Sequence, residues 1–195
     1  MELVIKNNKY NFIKPDGTYL SEIWFDRIDY FNDNFAKVKL NYKYNFINEN
    51  GKILSDTWFD FIYNFQERFV PVKLNNKYNF IDERGKLLSN VWFDAVDYFM
   101  NGFAKVELNN KWNYIDKVGN LVSDIWFDDV EYFMAGFGCV KLNNKWNYLK
   151  PDGTYISDTW FVYAGYFRDG FGIVKLNNDW YKIDKRGNLY FTVRN

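Results

Sequence analysis

The chain has 195 residues, with 25 Lys+Arg against 25 Asp+Glu and no His. Balanced charge argues against bulk affinity for nucleic acid, and a composition 48% hydrophobic and 23% aromatic argues against disorder. Without His, and with Cys139 as the single cysteine, His-based catalysis, an intrachain disulfide framework and a His or Cys zinc site are excluded.

In chain order, residues 1–8 read as a strand that leads into a repeat. Trp24, Trp58, Trp92, Trp126 and Trp160 follow one another at a spacing of 34 residues. Tyr10, Tyr44, Tyr78, Trp112, Trp146 and Trp180 keep the same period, as do Gly17, Gly51, Gly85, Gly119, Gly153 and Gly187. Five repeats can be cut at 9–42, 43–76, 77–110, 111–144 and 145–178. Residues 179–195 form a partial, more polar sixth repeat that reads as a cap. No linker or composition shift interrupts the series, so a single repeat domain over 1–195 is expected.

Within a repeat, Phe35-Ala36-Lys37-Val38-Lys39-Leu40 alternates apolar and polar residues, the period of a half-buried strand. A two-residue turn follows, Asn41-Tyr42 here and Asn-Asn in the later repeats. Asn tolerates the positive φ that such hairpins need, whereas Tyr42 fits it badly and leaves the turn type open. Lys43-Tyr44-Asn45-Phe46-Ile47 is the return strand. Glu49-Asn50-Gly51 reads as a turn, Ile53-Leu54-Ser55 as a short strand, and the aromatic segment Trp58–Phe65 as a further strand. Pro71 removes a strand donor and points to a locally unpaired edge. No long helix is expected.

The hairpin motif Asn-Asn-Lys-Tyr/Trp-Asn-Phe/Tyr-Ile-Asp, followed by x-x-Gly-x-x-x-Ser-Asp, resembles the bacterial WG-containing repeat family, whose hallmark is Lys-Trp-Gly-Tyr-Ile-Asp. The resemblance covers essentially the whole chain. It implies a β-rich repeat involved in interactions and carries no shared catalytic residues. Asn11, Asn45, Asn79, Asn113 and Asn147 stand at the hallmark glycine. If that position needs a left-handed backbone, Asn is the best substitute for Gly. Asn79→Gly would then be harmless, and Asn79→Val would cost roughly 1–2 kcal/mol.

The fold class expected is all-β: an open, solenoid-like array of hairpins, with a small closed propeller as the alternative. Asp26, Asp60, Asp94 and Asp128 follow the Trp-Phe pair, and the series breaks at Val162. Repetition favours carboxylates that bond turn amides over a cation site. The Trp24 series reads as a core layer. The hairpin aromatics, beside Lys9, Lys43, Lys77, Lys111 and Lys145, fit either a gripping surface or packed rings covered by lysine.

The leading expectation is a non-enzymatic scaffold that binds another protein. Its candidate contact residues are Tyr42, Tyr44, Tyr78, Trp112, Trp146, Trp180, Lys77, Lys111, Arg68 and Glu107. The alternatives are a carbohydrate-binding module and a phage or mobile-element inhibitor that docks on a host defence enzyme. No catalytic, cofactor or metal residues are expected, nor a nucleic-acid or membrane partner. Homo-oligomers could form through strand edges. The start of the chain shows no basic segment followed by an apolar one, which points to the cytoplasm.

Overall fold

The computed structural model describes residues 1–192, and among them it contains strands and no helix. The β-branched and aromatic alternation predicted from the sequence forms small antiparallel sheets, none closed into a barrel. Cα proximity divides the chain into two compact units, Met1–Asn90 and Val91–Asn195.

The first unit holds three sheets. Strands β1 (Glu2–Lys6) and β2 (Lys9–Ile13) form a hairpin. Strands β3 (Arg27–Ile28), β4 (Phe35–Leu40) and β5 (Lys43–Asn48) form the next sheet, and β6 (Phe61–Ile62), β7 (Phe69–Leu74) and β8 (Lys77–Asp82) the third. In each three-stranded sheet the middle strand is central. Pro71 therefore lies in a central strand rather than at an edge, just past the end of β6, and its carbonyl accepts the Tyr63 N–H at 3.1 Å.

The second unit repeats the plan. It contains β9 (Ala95–Val96), β10 (Phe103–Leu108) and β11 (Lys111–Asp116), then β12 (Asp129–Val130), β13 (Gly138–Leu142) and β14 (Lys145–Leu149). The last sheet has four strands: β15 (Tyr163–Ala164), β16 (Phe171–Leu176), β17 (Asp179–Asp184) and β18 (Leu189–Phe191).

Two local expectations need correction, and one open point is settled. The Trp58–Phe65 segment is strand only at β6, with Phe59 in an isolated bridge to Tyr44. Ile53–Ser55 reduces to one bridge, Ile47 to Ile53. The chain there crosses to the next sheet: Ile53 and Phe59 each bridge back to β5, and Phe61–Ile62 then pair with β7. Tyr42 does adopt positive φ, +65° after +49° at Asn41, so its turn matches the Asn75-Asn76 turn, with +50° and +62°. Two successive positive φ values define a type I′ hairpin.

A further correction concerns the hallmark position. Asn11, Asn45, Asn79, Asn113 and Asn147 all lie within strands and none has positive φ. They are instead the most deeply buried polar residues, 0–1% exposed. The Asn45 Nδ2 donates to the carbonyls of Ser55 (2.8 Å) and Thr57 (3.0 Å), and its Oδ1 accepts the Phe46 N–H (2.8 Å). Asn113 does the same with Ser123, Ile125 and Tyr114. Each Asn side chain thus pins the irregular crossing segment to the hairpin, and satisfies backbone groups that no ladder reaches. Glycine there would lose these bonds, so Asn79→Gly is not harmless.

Each core is assembled from consecutive repeats. In the first unit Phe12, Phe25, Ile28 and Val38 are joined by Ile47, Ile53 and Trp58 of the following repeat. In the second, Tyr114, Phe127 and Val140 are joined by Leu149, Tyr155 and Trp160. Trp58 and Trp160 are half-buried, each closing the core of the repeat before it. Neighbouring turns also approach closely: a Cβ at Gly51, whose φ is +84°, would stand 2.0 Å from the Leu20 carbonyl oxygen.

Candidate protein-interaction surface

The Asp series is structural. Asp26, Asp60 and Asp128 each take an ion pair from the lysine seventeen positions earlier, Lys9, Lys43 or Lys111. The other carboxylate oxygen accepts the turn N–H of Asn41, Asn75 or Asn143 at 2.7 Å. Asp94 accepts that of Asn109 at 2.8 Å. The lysine bond, followed by the amide bond, holds the three paired carboxyls below the usual Asp range. Lys111 is therefore engaged with Asp128 at the entry to the next sheet, and Lys77 is half-buried. Among the described residues, no three of His, Cys, Asp and Glu group to hold a metal.

Within each unit the hairpin aromatics form a covered row. Tyr44, Tyr78, Trp112 and Trp146 are half-buried, and Trp180 is 38% exposed. The residue paired opposite each ring is Lys39, Lys73, Glu107, Lys141 or Lys175. The lysine ammonium lies 5.2–5.7 Å from its ring centroid over Tyr44, Tyr78, Trp146 and Trp180. Where Glu107 interrupts the series, Lys105 reaches over Trp112 from two residues away, at 5.6 Å. These are cation–π contacts that occupy the ring faces.

In the first unit the row opens into a richer surface. Tyr42 is 86% exposed at its hairpin tip, with the Lys39 ammonium 5.7 Å from its ring. Phe61, 43% exposed, stands 5.8 Å from the Tyr44 ring and 4.9 Å from Tyr63. On one side of Phe61 is a hollow of 170 Å³ walled by Lys37, Lys39 and Tyr44, and on the other a shallow one of 480 Å³ walled by Tyr63, Lys73 and Tyr78. Lys37 is half-buried and donates to the Ile62 carbonyl at 3.1 Å; burial lowers its pKa.

Arg68 does not join this surface. It occupies the opposite end of β7 from the Asn75-Asn76 turn, about 20 Å away at the roughly 3.3 Å rise of a strand, and pairs with Glu83 at 2.8 Å. Phe61 and Lys37 are absent from the sequence-derived candidates. The signal that finds Phe61 is variability inside a regular repeat: its position is Arg27, Phe61, Ala95, Asp129 and Tyr163 in turn, beside an almost constant Trp-Phe-Asp.

The sequence profile of the WG-containing repeat matches four tandem stretches, residues 12–44, 46–78, 80–112 and 114–146. The chain belongs to the WG-containing repeat family. No curated protein matches it significantly. Among solved structures it is similar to Hsv2 of Kluyveromyces lactis, at 11% identity and TM-score 0.41 over 84% of this chain and 61% of that one. Hsv2 of Kluyveromyces marxianus gives 10% identity and TM-score 0.41 over 84% and 62%. A protein of unknown function from Bacteroides caccae gives 10% and 0.29 over 94% and 88%. The WG-repeat chain thus spans about three-fifths of the length of the two Hsv2 proteins.

Proposed function

We propose that this WG-repeat chain is a non-enzymatic scaffold that binds another protein through the aromatic–lysine surface of its first unit. Tyr42 carries the reading. An aromatic residue held at φ +65° and 86% exposed gains nothing for the fold from either condition. Backbone strain that persists on a regular framework is a recognised mark of a functional position. Exposed Tyr and Phe beside cationic side chains are the usual anchors of protein interfaces. The lysines argue for protein over sugar, because they already occupy the ring faces that a glycan would stack on.

The test is affinity capture from a lysate of the source organism, with a Tyr42→Asn/Phe61→Ser variant as the comparison bait after circular dichroism shows that it folds. The expected result is one protein held by the wild type and lost from the variant. Equal capture by both baits would remove this surface from consideration. Capture of a soluble glycan in place of a protein would replace the reading with a carbohydrate-binding one.

A further inference from the structure

In the second unit the break in the Asp series leaves a receptor without its carboxylate. At Asp128 three groups converge on the side chain: the Lys111 ammonium, the Asn143 N–H at 2.7 Å and, as a nearby charge, Lys141. One repeat later the same three donors are present as Lys145, Asn177 and Lys175, but the residue between them is Val162. The framework around it is unchanged. The Val162 N–H bonds the Lys175 carbonyl at 2.8 Å, as the Asp128 N–H bonds that of Lys141 at 2.8 Å. Trp146 exchanges backbone bonds with Phe161 at 2.8 Å in both directions, as Trp112 does with Phe127 at 2.9 and 2.8 Å. Asn177 keeps its positive φ of +54°, against +51° at Asn143. Lys145 is exposed and Val162 is 52% exposed, so the position is open to solvent.

We infer that Lys145, the Asn177 N–H and Lys175 form a binding site for an external carboxylate, which takes the place that Asp128 fills one repeat earlier. One ammonium and one backbone donor suit a carboxylate through charge-assisted bonds, with the second ammonium as a nearby positive charge. The Lys175 ammonium lies 5.7 Å from the Trp180 ring, as the Lys141 ammonium lies 5.6 Å from Trp146 while attracting Asp128. The ligand class is therefore a carboxylate, either the Asp or Glu side chain of a protein or a free small carboxylate. The site stands on the geometry of this repeat alone and does not require the scaffold reading above.

The test is an NMR titration of the full chain with sodium acetate at constant ionic strength, read at the Asn177 amide. The Asn143 amide, already bonded to Asp128, is an internal control in the same sample. The expected result is a saturable shift at Asn177 with no comparable shift at Asn143. Val162→Asp should weaken the response by about tenfold or more, because the built-in carboxylate occupies the site. Asp128→Val should make Asn143 respond in turn. An acetylated Glu tetrapeptide and its Gln counterpart then separate the sources. Tighter binding of the Glu peptide than of acetate points to a protein side chain, and equal binding to a small carboxylate. An unresponsive Asn177, or one that shifts equally with chloride, overturns the inference, and the wild-type titration decides this even if the variants fail to fold.

Discussion

The two units carry the same repeat, yet they satisfy one position differently. In the first unit the residue after the buried Asn is Phe12, Phe46 or Phe80, and the matching positions of β4 and β7 carry Ala36 and Val70. In the second unit it is Tyr114 or Tyr148, and the strand carries Gly138 or Gly172. The Tyr114 hydroxyl donates to the Glu131 carbonyl at 2.5 Å, with the Cys139 carbonyl at 2.9 Å. The Tyr148 hydroxyl donates to the Gly165 carbonyl at 2.5 Å. A Cβ at Gly138 would fall 2.6 Å from the Tyr114 ring, and one at Gly172 would fall 2.4 Å from the Tyr148 hydroxyl. In the first unit the Lys37 ammonium, rather than a phenol, bonds a carbonyl of the matching segment, that of Ile62. A hydroxyl added to a packed ring therefore goes with a Cβ removed from the strand it faces. The repeat tolerates a change of donor where the facing strand gives up its Cβ.

Breaking that match should have the largest effect. Gly172→Ala has no backbone obstacle, so its cost is the clash with Tyr148 and, at 3.0 Å, with Phe167, and should be about 2–3 kcal/mol in urea unfolding. Adding Tyr148→Phe recreates the Phe–Ala pairing of the first unit. The double variant should lose less than the sum of the two singles. Strict additivity would mean that ring and Cβ do not meet.

The buried Asn should behave alike in both units. Asn45→Gly and Asn113→Gly each leave crossing-segment carbonyls without a donor, and each should cost about 2 kcal/mol. Thermal melts of the two variants test this directly. A drop in only one would show that the pin matters to one unit and not to the other.

A smaller effect, confined to the second unit, depends on pH. Burial pushes the Cys139 thiol from 9.0 up to about 12. Burial, then the bond to Glu131, pushes the Tyr166 phenol from 10.0 up to about 12. Folding keeps these protons where the unfolded chain releases them. The stability they supply is thus complete below about pH 9 and is lost as pH rises towards 12. Tyr166→Phe should flatten part of that alkaline slope in denaturation followed by circular dichroism. An unchanged slope would place the sensitivity elsewhere.

The smallest effect runs the other way. Tyr42→Asn relieves an aromatic residue at φ +65° and should stabilise the fold by about 1 kcal/mol. A gain in midpoint accompanied by lost capture of the partner would join strain to function at one residue. A loss in midpoint would show that the Tyr42 ring supports the fold after all.

Much of this was readable from residues alone. Alternation gave β4, Asn-Asn gave the tight two-residue turns without their type, and repetition alone assigned Asp26, Asp60, Asp94 and Asp128 to turn amides. What escaped was everything decided by convergence across the chain. Asn45 resembled a left-handed residue because its bonds run to Ser55 and Thr57, ten and twelve positions away. The break at Val162 was visible, but the donors it strands lie on two other strands. Phe61 looked like one more residue of an aromatic run until its exposure was known.

The shared cores also explain a plain fact about length. Trp58 closes a core begun by Phe12, and Trp160 one begun by Tyr114. A residue gained or lost within one repeat would shift contacts in its neighbour's core as well as its own. Substitutions accumulate freely along this chain, at position 61 or 162 for example, while the 34-residue spacing of its tryptophans never changes. Descent by duplication can vary what each copy displays, but the copies must keep a common measure, because no copy owns its interior alone.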